Sequence, residues 1–366
     1  MKNPCIVGGF LCLKHPTFAT YALLTKKVVF FALMQLDYSL LLENIKSRRY
    51  DEATRAHVLS PAFEDQQLAT CVRYALEAMQ EVDTAYAYKV YANTRRIHEH
   101  ISKELMVRNI KAQVRYQGAL RTETHIRLYG EVDMLFVMEE NASHKDVFLL
   151  GQVLREIVTK QNHHTVDYSD GVRIRILTQK PVCRINLIPC AWINNAQYTE
   201  TRHEIYRGIV VYNFKDKTRK KHLPFLNMGR ISSKDMVTEG GYKRVIRLLK
   251  SLSTDLSIAL NSYELTSLIY HMPDEQLMAD RYHELSILPH VSKYIGGLVT
   301  DKQAFELLLS PSDKELVFGN RPAKRDVVKK LHTALDGLLT DLREQVGSDL
   351  AREIRYAGEQ PIMQAK

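Results

Sequence analysis

Glu131 and Asp133 flank Val132 at the head of an apolar run, Met134-Leu135-Phe136-Val137. Successive side chains of a strand alternate faces, so the two acids share one face and Val132 points to the other. Like charges that close are costly unless a divalent cation or basic groups lie between them. The apolar run reads as a strand buried in a mixed sheet, which leaves the acids at its start, within reach of a ligand. Ahead of them, Tyr116-Gln117-Gly118-Ala119 carries a glycine turn whose backbone amides can approach a phosphate. A third position comes from Cys183-Arg184-Ile185-Asn186-Leu187-Ile188-Pro189, where Arg184, Asn186 and Ile188 share a face. If this strand lies beside the first, Asn186 meets Glu131 and Asp133.

The elements that must position these residues are legible in outline. Apolar residues from about 64 to 106 recur at helical spacing, ending in Ile97, Ile101 and Leu105, and lead straight into the glycine turn. Arg95, Arg96 and Lys103 fall on the polar side of that helix, a solvated face. Residues 147 to 161 read as a helix through Val147, Leu150, Leu154 and Ile157. From 171 to 177, Val172, Ile174 and Ile176 alternate with Arg173 and Arg175, a half-exposed strand. A turn at Gln179-Lys180-Pro181 then makes a hairpin with the Asn186 strand. The basic stretch Lys215 to Lys221 reads first as a solvated hairpin tip and second as a contact for phosphates. From Gly240-Gly241 onward the chain is helical. Val245, Leu248, Leu249, Leu252 and Leu256 form an apolar stripe, with Lys243, Arg247 and Lys250 as an opposing basic stripe. Further helices begin at Thr300-Asp301 and after Pro322, the latter through Val328, Leu331, Leu335, Leu338 and Leu342.

The 366 residues suffice for a full core and for two domains. With 45% hydrophobic and 25% charged residues the composition is that of an ordinary soluble chain, and the net charge of +9 favours polyanionic partners. Five cysteines without a Cys-x-x-Cys pair point to a reducing, cytoplasmic setting. Cys183 and Cys190 read as core thiols rather than zinc ligands. His163-His164 with Asp167 and Asp170 reads as a polar loop rather than a metal cluster, and His125 as structural. No apolar run reaches the roughly 20 residues of a membrane span. Residues 1–33 are expected to be an extension outside the fold, a partner-docking or membrane-surface segment being the alternative.

The order of these motifs resembles the nucleotidyltransferase superfamily, and more narrowly the bacterial antiphage relatives of cyclic GMP-AMP synthase and oligoadenylate synthase. Tyr206-Arg207-Gly208-Ile209, Leu223-Pro224-Phe225 and Lys243 to Lys250 extend the resemblance over residues 40 to 345. It implies an α+β fold: a polymerase-β-like mixed-sheet core at 34–225, a helical domain at 226–350 and a tail at 351–366. Active members join nucleoside triphosphates through attack of a ribose hydroxyl on an α-phosphate, with two divalent ions held by three carboxylates. By position, Glu131 and Asp133 are the metal pair, Asn186 the third site, and Gly118 and Ala119 the phosphate turn. Lys243 and Arg247 are candidates for further phosphate contacts. Magnesium or manganese is the implied cofactor of an active protein, and none of an inactive one.

Three departures stand against activity. Ala119 replaces the family serine and forfeits a hydrogen bond to a charged acceptor, about 1.5–3 kcal/mol. Glu131 replaces an Asp and adds a methylene at a position where octahedral magnesium tolerates little displacement. Asn186 replaces the third Asp, and loss of one such electrostatic element costs on the order of 10² to 10³ in rate. The favoured reading is a catalytically impaired family member that binds nucleotides or regulates an active homologue or effector protein. The alternatives are a working enzyme that uses Glu131 and Asp133, and a nucleic-acid-binding protein.

Overall fold

The computed structural model describes residues 35–160, 165–169, 171–179, 181–278, 284–319 and 321–345. The expectations for residues 1–33, His163-His164, Asp170 and the tail lie outside them. From Asp37 onward the chain forms one compact unit.

Asp37 caps the first helix, α1 (Tyr38–Arg48), by accepting from the amide of Leu40. Two helices follow, α2 (Thr70–Met79) and α3 (Thr84–Val107). The expected spacing holds in α3, where Ile97, Ile101 and Leu105 are buried. It delivers the chain to β1 (Gln113–Gln117), a strand that pattern reading did not find, and then to Gly118. Next come β2 (Val132–Met138) and α4 (His144–Thr159), the latter opened by a reciprocal Ser143–Asp146 capping box. They are followed by β3 (Thr165–Asp167), β4 (Ile174–Leu177), β5 (Arg184–Ile193), β6 (Gly208–Asn213) and β7 (Thr218–His222).

The seven strands make one mixed sheet in the order β1-β2-β5-β4-β3, with β6 on β5 and β7 on β6. β2 and β5 are parallel; the other pairs are antiparallel. The ten-residue β5 organises the sheet. One edge pairs with β2, and the other pairs with β4 through its first half and β6 through its second. Val132, Met134 and Phe136 face one side and pack with Ile97, Ile101 and Leu154 of α3 and α4. Leu135 and Val137 face the other, against Trp192 and Ile209 with Phe225 alongside. Alternation therefore gives β2 two cores, and Asp133 lies on the second face, ahead of Leu135. Cys183 and Cys190 are buried core thiols.

The basic stretch is a hairpin, as expected: β6 and β7 pair in register and Thr218 to Lys221 are exposed. Beyond it the chain is helical, with α5 (Pro224–Val237), α6 (Gly241–Asp255), α7 (Ile287–Thr300) and α8 (Ala323–Gln345). The leucine stripe of α8 is fully buried from Val328 to Leu342. On α6 the basic stripe is largely interior. Arg247 and Lys250 are each only 5% exposed, because α6 is wrapped on both sides and its cations find carbonyl partners inside. Among the described residues no helix is long and apolar enough to cross a membrane.

Candidate functional site

The sheet register places one polar residue from each of five strands in a single row. Gln117 pairs with Asp133, Asp133 with Asn186, Asn186 with Arg175, and Arg175 with Asp167. Strand spacing of roughly 5 Å brings such neighbours into side-chain contact. Asn186, 1% exposed, donates its amide Nδ2 to Asp133 Oδ1 at 2.7 Å. Its own Oδ1 is buried and accepts nothing. Gly118 sits directly above Asp133. Its φ of +99° is a conformation open chiefly to glycine, and a Cβ there would lie 3.1 Å from Asp133 Oδ2. The structure thus brings Gly118, Asp133 and Asn186 together, as the sequence implied.

Glu131 is on the same face, near enough for its charge to act on Asp133, but it bonds to neither Asp133 nor Asn186. It precedes β2 and forms an ion pair with Arg184 at 2.5 Å, both side chains about half exposed. Burial holds the Asp133 carboxyl above the usual range; hydrogen bonds from Asn186 and Gln117 and the charge of Arg173 only partly offset it. Arg175 bonds to Asp167 at 3.1 Å. Three arginines therefore stand on this face beside the acids. Sequence alternation had put Arg173 and Arg175 on one side of their strand and Arg184 with Asn186. It had no means of pairing Arg184 with a residue 53 positions away.

These donors do not form a site for two divalent ions. The Glu131 carboxylate is paired with a guanidinium across an exposed ion pair, and that of Asp133 receives an amide N–H at the place where a third acid is required. Among the described residues no group of three His, Cys, Asp or Glu could hold a metal. Asp133 offers two carboxylate oxygens, one of them already accepting from Asn186, and Asn186 adds one unpartnered carbonyl oxygen.

Ala119 follows Gly118 and is half-buried. The segment beyond it is held from beneath by α6. Thr124 N–H bonds to the carbonyl of Ala119 at 2.9 Å. Lys243 Nζ bonds to the Glu123 carboxylate at 2.7 Å, and Arg247 to the carbonyls of Met79 and Glu123 at 2.8 and 2.9 Å. Lys250 Nζ reaches the carbonyl and hydroxyl of Thr124, both at 2.8 Å. Glu123 itself sits at φ +57°. Lys243 and Arg247 thus brace the turn, and a phosphate contact from either would require those bonds to be given up. His125 is buried nearby, its pKa pushed down to about 4 by burial and by the charges of Lys250, Arg49 and Arg247.

Comparison with known proteins agrees with this fold. A family model described as the cGAS/DncV-like nucleotidyltransferase C-terminal helical domain matches residues 229–340. The chain is 25% identical over 335 residues to a cyclic dinucleotide synthase CdnE of Yersinia aleksiciae, covering 83% of this chain and 87% of the relative. Among solved structures it resembles the STING-associated CdnE c-di-GMP synthase of Capnocytophaga granulosa, with TM-score 0.71 and 22% identity over 84% of this chain and 99% of that one. The CdnE cyclic dinucleotide synthase of Elizabethkingia meningoseptica, solved with GTP and Apcpp, superposes with TM-score 0.57 and 18% identity, covering 71% of this chain and 95% of that one. The chain thus carries a mixed sheet with the turn and the acidic strand, followed over residues 229–340 by the cGAS/DncV-like nucleotidyltransferase C-terminal helical domain, and over most of its length it is similar to cyclic dinucleotide synthases of that kind.

Proposed function

We propose that this chain binds nucleoside triphosphates on the Gly118–Asp133–Asn186 face and acts through that binding rather than as a synthase. Residues 34–225 supply the binding face, and residues 226–350 brace its turn through α6. In second-messenger signalling of the antiphage kind, such a protein would act in the cytoplasm as a sensor or as the partner of an active homologue or effector. The observation that carries this reading is the Asn186 amide, which donates to Asp133 at 2.7 Å where a catalytic member needs a third carboxylate. An N–H turned toward Asp133 competes with a cation for the same oxygen lone pairs.

A second reading, an active enzyme using magnesium or manganese, is favoured by the unpartnered Oδ1 of Asn186 and by the synthase names of the relatives. Incubation with labelled nucleoside triphosphates and either metal separates the two. The expected outcome is a rise in melting temperature with nucleotide and no oligonucleotide or pyrophosphate product. Product formation that Asp133→Ala abolishes would establish the second reading. The triple change Ala119→Ser, Glu131→Asp and Asn186→Asp is expected to restore turnover; a folded but silent triple variant would locate the lesion elsewhere.

A further inference from the structure

The acids of this face already have a counter-charge, and it belongs to the protein. Glu131 carries Arg184, Asp167 carries Arg175, and Arg173 lies near enough to Asp133 to favour its charged form. Arg175 is the direct cross-strand neighbour of Asn186, and Arg184 precedes Asn186 by two residues on the same face. A site with three carboxylates repels a triphosphate until divalent ions intervene. Here three guanidiniums offset Glu131, Asp133 and Asp167, and one acid position is a neutral amide.

We infer that the arginines of β4 and β5 take the place of divalent cations on this face, so that a triphosphate group is bound without a metal ion. The inference rests on the nucleotide-binding reading above and specifies its chemistry. Guanidinium presents a planar fork of donors that matches phosphate oxygens two at a time and stays charged at every working pH. The Arg184–Glu131 pair spans two half-exposed side chains, and ion pairs of that kind hold weakly enough for a phosphate to displace the carboxylate. Arg184 would then swing from Glu131 to the ligand, while Arg175 holds the phosphates beside Asn186. Magnesium bound to the nucleotide lowers its negative charge and so removes part of the attraction.

Binding is measured on the full chain by thermal melting and calorimetry, using ATP, GTP and inorganic tripolyphosphate, each in EDTA and again in excess magnesium. The expected result is a rise in melting temperature in EDTA at least as large as that in magnesium, with tripolyphosphate sufficient to produce it. The double variant R175Q/R184Q, with native circular dichroism, is expected to bind about 10-fold or more weakly. E131Q is the sharper probe: it releases Arg184 and should tighten metal-free binding, whereas in a cation-held site it would weaken binding. A melting shift that needs magnesium or manganese and vanishes in EDTA overturns the arginine assignment and leaves nucleotide binding standing. Absence of binding under every condition overturns both.

Discussion

A single residue, Lys250, shows how far the interior of this protein departs from what a helical wheel implies. Burial, with the charge of Arg247 beside it, drives its pKa down from the ordinary 10.5 to about 7. Its Nζ nevertheless keeps two partners on Thr124, so the site is polar without being anionic. A folded pKa below the unfolded one makes stability fully present above the unfolded value and lost as pH falls through the folded one. Between pH 7 and 9, therefore, the unfolded chain holds a proton that the native chain has released, and stability should climb with pH. The limiting slope is about 1.4 kcal/mol per pH unit. His125, pushed down to about 4, has the same sign in a lower window: its contribution is present above the usual histidine range and disappears toward pH 4. Urea denaturation at pH steps checks this. Lys250→Met is expected to flatten the slope between pH 7 and 9 while leaving the acid limb in place.

At the scale of elements, α6 is the helix that shapes the turn. Its apolar stripe was legible because Val245, Leu248, Leu249 and Leu252 recur at helical spacing and are all fully buried. The partners of its cations were not legible, because the carbonyls of Met79, Glu123 and Thr124 lie 120 or more residues earlier. No local pattern encodes such a bond. β2 was legible for the opposite reason: its apolar run and flanking acids are contiguous in the chain. β1 escaped notice although Val114 and Tyr116 alternate with Arg115 and Gln117, since an edge strand of five residues with none of them buried leaves only a faint signal. α5 begins at Pro224 with no side-chain cap, so it announces itself weakly as well. Of the site, Gly118, Asp133 and Asn186 were found, and the pairing of Glu131 with Arg184 was not. Arg247→Met tests the bracing. It leaves two carbonyls without their donor, one of them that of Glu123, which sits at positive φ. The expected loss is about 2–4 kcal/mol in urea titration, accompanied by weaker nucleotide binding, since the turn beside Gly118 is slackened.

At the scale of the whole molecule, the sheet and the C-terminal helices are tied by buried polar links as well as by packing. Arg48 of α1 makes a bidentate pair with Asp255 at the end of α6, and the Tyr74 hydroxyl of α2 donates to the same carboxylate at 3.0 Å. Arg48 is 8% exposed and Tyr74 fully buried, so this is an interior ion pair reached from three helices. Tyr38 reaches Asp341 of α8 at 2.5 Å, which joins the first described helix to the last. The Leu128 amide in the loop before β2 bonds to the carbonyl of Arg48, and this carries the same network to the site strand. Links of this kind make the parts unfold together, and the protein contains a built-in reporter for each part. Its single tryptophan, Trp192, is buried in β5 against Phe225 and reads out the sheet, whereas far-ultraviolet circular dichroism is dominated by the helices. Urea transitions followed by the two signals should therefore coincide. Asp255→Ala strips a buried guanidinium and a buried phenol of their common acceptor. Its expected cost is about 3–5 kcal/mol, because the charge left behind has no water to turn to. If the carboxylate is what couples the helices to the sheet, the two transitions should separate in that variant, with the helical signal lost at lower urea than the tryptophan signal.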